Sequence, residues 1–176
     1  MLKLKQIPDS IGYYLAGFVD GEGSFHLTFR HRSDYKLPWK VSLCLNVSQK
    51  DRVILALIKR HLQCGTIREK EQGVWMYEVN NLNAIRENVI PFFNRFGFLS
   101  AKKKRDFSIF KQMAELMAEG KHLNREGIEQ LLRLRRKMND GGKRKYSESR
   151  ILAEFDRLES SETIRRTGSS ADDRMI

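Results

Sequence analysis

Long apolar runs and paired cysteines are both missing from this 176-residue chain. No stretch of about 18 apolar residues occurs, which argues against a membrane-spanning helix, and the opening segment MLKLKQIPDS lacks the apolar stretch of a secretory signal. The two cysteines, Cys44 and Cys64, fit neither a CxxC nor a zinc-binding spacing and are too few for a disulfide framework. We therefore expect an intracellular protein of a reducing compartment, without a membrane partner.

Acidic residues are scarce relative to basic ones. Lys and Arg number 33 against 22 Asp and Glu, which gives a formal net charge of +11 and a pI of about 9.8. This excess favours a polyanionic partner such as nucleic acid, although a merely solubilising surface would have the same composition. Hydrophobic residues make up 40% of the chain, enough for a substantial core, which argues against a wholly disordered protein.

The spacing of apolar residues predicts an α-β-β-α-β-β-α order followed by extra helices, and this unit occurs once. The expected fold class is therefore α+β, with a four-stranded antiparallel sheet. We expect one domain over 1–158, with a core unit at about 8–120 and a helical extension at 121–158, and a flexible polar tail at 159–176. The predicted helices cover 10–20, 51–62, 82–93, 102–119, 124–138 and 147–158, and the predicted strands cover 24–30, 40–47, 66–70 and 74–79.

Polar and apolar residues alternate strictly in the first two predicted strands. The apolar positions, from Phe25 to Phe29 and from Val41 to Val47, can pack under the helices, which leaves an opposite face without acids. A two-stranded ribbon is narrow enough to enter a DNA major groove, but an ordinary solvent-exposed face is the alternative. The residues predicted to contact nucleic acid are Ser24, His26, Thr28, Arg30, Arg32, Lys40, Ser42, Cys44, Asn46, Arg68, Lys70, Trp75 and Tyr77.

The stretch LAGFVDGEG, from Leu15 to Gly23, is the most informative part of the chain. Gly17 inside a helix is unfavourable by roughly 1 kcal/mol relative to Ala, and close packing against a partner helix is one reason to retain it beside the small Ala16. Glu22 lies just past the predicted helix end, between two glycines. Two such helices side by side would bring two Glu22 carboxylates together, a geometry suited to binding divalent cations over phosphates.

Two other motifs fit this stretch poorly. A calcium-binding loop starting at Asp20 would need Gly at its sixth position and Glu at its twelfth, where the chain has Phe25 and His31. A dinucleotide-binding loop would need a preceding strand and a third glycine, where the chain has a helix and His26. Neither motif is therefore predicted.

The nine residues from Leu15 to Gly23 resemble the motif of LAGLIDADG homing endonucleases, and the element order from about 8 to 120 resembles one unit of that family. The resemblance implies a homodimer whose four-stranded sheets form a saddle on double-stranded DNA. It also implies intron-encoded enzymes that cut both strands of a long pseudo-palindromic site across the minor groove, leaving short 3′ overhangs. Glu22 and the Gly21 carbonyl would ligate Mg²⁺ or Mn²⁺. The residues implied at the dimer interface are Tyr13, Ala16, Gly17 and Asp20, with Asp20 more often structural.

Further positions follow from the resemblance less directly. Gln49, after the second strand, matches a polar active-site residue, and Lys102 matches a lysine near the start of the helix after the sheet. A basic residue that is common in the family is replaced by Val53, although Arg52 is adjacent. An RNA-binding maturase acting on intron RNA and a non-cleaving DNA-binding regulator remain alternatives, and the acid at position 22 favours the enzyme. The sequence does not decide between an organellar, bacterial or phage origin.

Overall fold

The computed structural model describes residues 2–32, 37, 39–139 and 144–168, with side chains up to Leu158. One four-stranded antiparallel sheet has the strand order β1-β2-β4-β3, and helices pack against it. The predicted α+β class and the predicted element order are both confirmed. The elements are α1 (Asp9–Glu22), β1 (Gly23–His31), β2 (Trp39–Gln49), α2 (Arg52–Leu62), β3 (Thr66–Glu69), β4 (Trp75–Val79), α3 (Leu82–Ala84), a π-helical turn (Ile85–Val89), α4 (Ile90–Phe96), α5 (Ala101–Ala118), α6 (Arg125–Arg136) and α7 (Glu148–Gly168).

Side-chain caps fix where several helices begin. Asp51 accepts a hydrogen bond from the Val53 N–H at 2.8 Å at the start of α2, and Asn124 accepts one from the Gly127 N–H at 2.8 Å at the start of α6. The single helix predicted over 82–93 is instead interrupted by the π-helical turn and continues to Phe96. Pro91 lies in the first turn of α4, where a missing N–H is tolerated, so it does not end the helix.

The two faces of the sheet differ as the alternation predicted. Phe25, Leu27 and Leu43 are at most 2% exposed and face the helices. Phe25 is the centre of an aromatic cluster in which its ring lies 4.7–6.0 Å from four phenylalanine rings of α4, α5 and the segment between them. This cluster holds the sheet against α5. It therefore also fixes the position of β1, the strand that follows α1. The four partners are Phe93, Phe98, Phe107 and Phe110.

Two glycines let α1 pack closely on its surroundings. A Cβ on Gly12 would lie 2.1 Å from the Phe96 ring, so α1 and α4 approach each other at that point. A Cβ on Gly23 would lie 2.5 Å from a Val19 methyl and 2.7 Å from the Val19 carbonyl oxygen. Only glycine therefore fits where α1 turns directly into β1.

The helical extension contacts the edge of the sheet. The Asn139 side-chain amide donates to the Phe25 carbonyl oxygen of edge strand β1 at 2.7 Å. Helix α7 continues to Gly168, ten residues beyond the predicted helix end at residue 158 and into the segment that was predicted as a polar tail. Residues 169–176 of that tail, and residues 33–36 and 38 between the first two predicted strands, lie outside the described residues. In the described part of the chain, no helix combines the length and apolar character needed to cross a membrane.

Candidate active site

The LAGFVDGEG stretch ends in an exposed carboxylate. Glu22 is the last residue of α1, so the helix continues two residues beyond the predicted end at residue 20 and includes Gly21. Both residues are exposed. The chain becomes extended only at Gly23, which begins β1. Glu22 is therefore an exposed carboxylate at the junction between α1 and the edge strand β1.

Asp20 has a different role from Glu22, although it lies only two residues away. Its carboxylate accepts hydrogen bonds from the backbone N–H groups of Leu99 and Ser100, both at 2.9 Å, and from the Ser100 hydroxyl. Burial alone would raise the pKa of Asp20, but these hydrogen bonds and the nearby Lys103 ammonium outweigh it and lower the pKa. Asp20 thus holds the start of α5 against the end of α1, which agrees with the structural role implied by the resemblance.

The lysine beside this junction is Lys103 rather than Lys102. The Lys103 ammonium donates to the Gly23 carbonyl oxygen, and the side chain is half-buried. Lys102 is exposed on the same turn, and its active-site role stays a prediction, while Lys103 is the lysine that contacts the strand start. Burial, the largest effect, lowers the pKa of Lys103, and Asp20 and Asp106 partly offset it. The ammonium is therefore confined in a partly desolvated position, where its charge acts more strongly on neighbouring groups.

Gln49 lies at the same end of the sheet. Val47 pairs with Gly23, so Gln49 is two residues further along β2, beside the end of α1. Gln49 of β2 pairs with Trp75 of the neighbouring strand β4. The Arg52 guanidinium lies 4.7 Å from the centroid of the Trp75 ring. Val53, where a basic residue was expected, is 74% exposed. Arg52 therefore supplies at this strand end the positive charge that Val53 lacks.

One face of α1 has no covering element among the described residues. A Cβ on Gly17 or Gly21 would meet nothing within 4 Å, and Tyr13 is 58% exposed on the same side. Ala16 instead is 2% exposed and packs in the core of its own chain, so its predicted position on an interface is wrong. Asp20 is likewise engaged within the chain. The free face is lined by Ser10, Tyr13, Tyr14, Gly17 and Gly21.

The polar face of the sheet extends away from Glu22. The strand register aligns its members in pairs across β1 and β2, from Ser24 with Asn46 to Arg30 with Lys40. Arg68 lies on the same face, opposite Met76 of β4, and Lys70 follows the end of β3. Arg32 is half-buried just after β1. The partly or fully exposed members on this face include Ser24, His26, Thr28, Arg30, Lys40, Ser42, Asn46 and Arg68.

Three residues that were predicted to contact DNA from the polar face are either buried or on the opposite face of the sheet. Cys44 is 3% exposed, and burial raises the pKa of its thiol to about 11, so the group stays protonated and inaccessible. Tyr77 is fully buried opposite Val47 on the helix side, where its hydroxyl donates to the Cys64 carbonyl oxygen at 3.1 Å. Trp75 is two residues from Tyr77 in β4, so its side chain lies on the same face of the sheet, towards the helices. The error came from assigning the faces of the short strand β4 without a strict alternation in its sequence.

One charged residue on the polar face was missed from the sequence. Glu78 pairs with Asn46 of β2 and Thr66 of β3, in the middle of the sheet. The nearby His26 has a lowered pKa, mainly because of burial, and Glu78 offsets part of the effect. His26 is therefore neutral at neutral pH and available for hydrogen bonding rather than for charge pairing.

The donor set at the helix end suits a hard divalent cation. Carboxylate and backbone carbonyl oxygens, which Glu22 and Gly21 supply, are ligands that Mg²⁺ accepts. Within residues 2–32, 37, 39–139 and 144–158, no three or more His, Cys, Asp or Glu side chains form a group that could hold a metal ion. Among these described residues, Glu22 is therefore not part of a preformed cluster of metal ligands.

Comparison with protein families identifies a match over residues 15–114 to the LAGLIDADG endonuclease model. The chain is 31% identical over 140 residues to the probable intron-encoded endonuclease 2 of Neurospora crassa, covering 77% of this chain and 31% of that protein. It is 27% identical over 133 residues to the DNA endonuclease I-CeuI of Chlamydomonas moewusii, covering 72% and 60% respectively. The chain spans about a third of the Neurospora protein and 32% of a related Mycosarcoma maydis endonuclease.

Solved structures share the fold. The archaeal intron-encoded homing endonuclease I-Vdi141I, complexed with DNA, superposes with a TM-score of 0.74 at 29% identity, over 86% of this chain and 97% of that one. I-SmaMI, bound to uncleaved DNA in the presence of calcium ions, superposes with a TM-score of 0.70 at 28% identity, over 82% of this chain and 48% of that one. Since the family model covers the motif helix, the sheet and most of α5, the chain belongs to the LAGLIDADG endonuclease family.

Proposed function

We propose that this protein is a site-specific DNA endonuclease that acts as a homodimer and requires a divalent cation. The observation that carries the proposal is the position of Glu22, which is exposed at the end of α1 and at the start of the strand that leads into the basic polar face. A carboxylate in this position, within reach of bound DNA, is suited to metal-assisted hydrolysis of phosphodiesters. The relatives that are DNA endonucleases, including I-CeuI, support the same activity.

The free face of α1 supports the homodimer. Small residues at Gly17 and Gly21 allow two helix backbones to approach closely, while Tyr13 and Tyr14 supply apolar area to be buried. A two-fold contact through this face pairs each residue with its own copy or a near neighbour. The two Glu22 residues, at the end of the same helix, would then lie close together over the DNA.

Glu22 and the Gly21 carbonyl would hold Mg²⁺ or Mn²⁺, together with oxygens of the bound DNA. The cation, when bound, neutralises charge at the scissile phosphate and lowers the pKa of a bound water. Lys103 supplies a fixed positive charge beside the Gly23 carbonyl, which stabilises the extra negative charge that develops during hydrolysis. We expect Gln49 to orient water by hydrogen bonding at the same strand end.

The polar face would contact the DNA flanking the cleavage site. Arg30, Lys40, Arg68 and Lys70 can each contact a phosphate or a guanine, because each carries a full positive charge. Neutral members such as His26 act through hydrogen bonds to base edges. Two copies related by a two-fold axis would require a long target of pseudo-palindromic sequence.

The test is selection of cleaved sequences from a randomised duplex DNA library, with Mg²⁺ and with EDTA. We expect double-strand breaks at one family of sites only with the cation. Glu22→Gln removes the charge at constant size and should abolish cleavage while leaving binding in EDTA within about threefold of wild type. Asp156→Asn, which removes an exposed acid from α7, is the matched control and should cut normally. Cleavage by Glu22→Gln at the wild-type rate would refute the metal-ligand role, and binding of intron RNA without DNA cleavage would instead indicate a maturase.

A further inference from the structure

Glu78 is the single acidic residue among the described residues of the sheet's polar face. One row of side chains crosses all four strands at its level, from Ser24 through Asn46 and Glu78 to Thr66. This row is one residue beyond Gly23, and therefore close to the end of the sheet that carries Glu22. A carboxylate here would lie against the DNA in the proposed function, on which this inference rests.

The contacts that Glu78 makes within the chain leave acceptor capacity unused. The Arg68 guanidinium and the Asn80 side-chain amide both approach at 3.5 Å, and both contacts reach the same oxygen, Oε2. Distances of 3.5 Å lie at the outer limit of hydrogen bonding. The side chain is 18% exposed, so it is not sealed in the core. Glu78 is thus only weakly satisfied by its own chain.

A carboxylate facing DNA is unfavourable unless a base donor compensates for it. Phosphates repel it, and the acceptor atoms of guanine and thymine in the major groove repel it as well. Adenine offers an N6 amino donor, but the acceptor N7 lies beside that donor. Cytosine offers the N4 amino group without an adjacent acceptor on the same base. Among the four bases, cytosine therefore suits an ionised Glu78 best.

We propose that Glu78 determines specificity by accepting a hydrogen bond from the N4 amino group of a cytosine in the target. Arg68, held beside it, is oriented by the ion pair and donates to a guanine in the same region of the major groove. Arg68 also offsets the repulsion between Glu78 and the phosphates. The pair thus selects a cytosine and a guanine at the end of each half-site that lies nearest the cleavage site.

The experiment compares Glu78→Gln with wild type on all single-base variants of the selected site, by binding in EDTA and by cleavage in Mg²⁺. Gln keeps the size of the side chain but presents donor and acceptor groups that match adenine. We expect the cytosine preference at one position of each half-site to fall by roughly 5- to 100-fold, with adenine gaining. Glu69→Gln is the matched control, since it removes an acid from the same hairpin on the opposite face, and its profile should overlay the wild type.

Thermal melting of each variant establishes that the fold is retained, and Glu78→Ala provides a second variant that should lose the same cytosine preference without gaining adenine. A Glu78→Gln profile identical to wild type at every position would overturn the inference while leaving the nuclease proposal intact. A wild-type protein that binds no duplex DNA would overturn both. Loss of preference spread evenly over all positions would also contradict the proposal, because it would indicate a general change in charge.

Discussion

Replacing Lys103 with Met tests the assignment of the active-site lysine. The substitution keeps most of the aliphatic stem and removes the ammonium that donates to the Gly23 carbonyl oxygen. Removing one group that stabilises developing negative charge costs about 10²–10³ in kcat, or about 3–4 kcal/mol. We expect kcat for cleavage to fall by about 10²-fold. Binding measured in EDTA should weaken by less than about tenfold, because only one of several basic contacts is lost.

The structure also indicates that this loss would not arise from unfolding. The pKa of Lys103 is lowered chiefly by burial, so the charged form is disfavoured in the folded state and its removal relieves part of that cost. Lost hydrogen bonding opposes this gain, and we expect a change in unfolding free energy of less than about 1 kcal/mol.

Lys102→Met is the matched control for this assignment. Lys102 is exposed at the neighbouring position of α5. Its replacement should reduce the slope of log binding constant against log salt concentration by about one, as expected for the loss of one phosphate contact, and should leave kcat within about threefold of wild type. Single-turnover cleavage of one target by both variants makes the comparison. Normal cleavage by the Lys103 variant, with a large loss in the Lys102 variant, would refute the reasoning.

Three further substitutions test the fold and the assembly. Gly17→Leu places a large side chain on the free face of α1 and should convert a dimer to folded monomers in sedimentation, with a melting temperature lowered only by the loss of dimerisation; an unchanged dimer would exclude this face. Asp20→Asn should destabilise the protein by about 1–2 kcal/mol at neutral pH, because it weakens the bonds to Leu99 and Ser100. Since the pKa of Asp20 is lowered in the fold, this difference should shrink as the pH falls through that pKa, and a pH-independent difference in urea unfolding would contradict it. Phe25→Ala should cost about 3–5 kcal/mol in the same assay, and a cost below about 1 kcal/mol would contradict the central position of its ring.

The sequence predicted the parts of the fold that depend on local periodicity. The alternation in β1 and β2 correctly separated Phe25 and Leu43 from Thr28 and Ser42, because each strand has one buried and one polar face. The short strand β4 has no such alternation: Met76 on the polar face is as buried as Tyr77 on the other. Which side chains of β4 face the helices could therefore be assigned only from the way β4 pairs with β2.

The site depended on tertiary contacts that local patterns do not encode. Lys102 and Lys103 both follow Ser100 in an unbroken basic run, and both lie four residues before a buried position of α5. Helical spacing therefore does not separate them, and only the contact with Gly23 identifies Lys103. Ala16 was misassigned for a related reason, since a small residue fits a tight core contact as well as an interface. Glu78 was missed because its strand partner Asn46 is distant in sequence.

The central claim is that two copies of Glu22 act together in one cleavage unit. Wild type and Glu22→Gln are co-expressed in equal amounts, purified together, and assayed for double-strand cleavage of the selected site in Mg²⁺. If both copies are required, only dimers with two intact carboxylates cut both strands, and the rate per chain should fall to about one quarter of wild type. A fall to about one half, in proportion to the fraction of wild-type chains, would show that each copy cuts independently and would contradict the account.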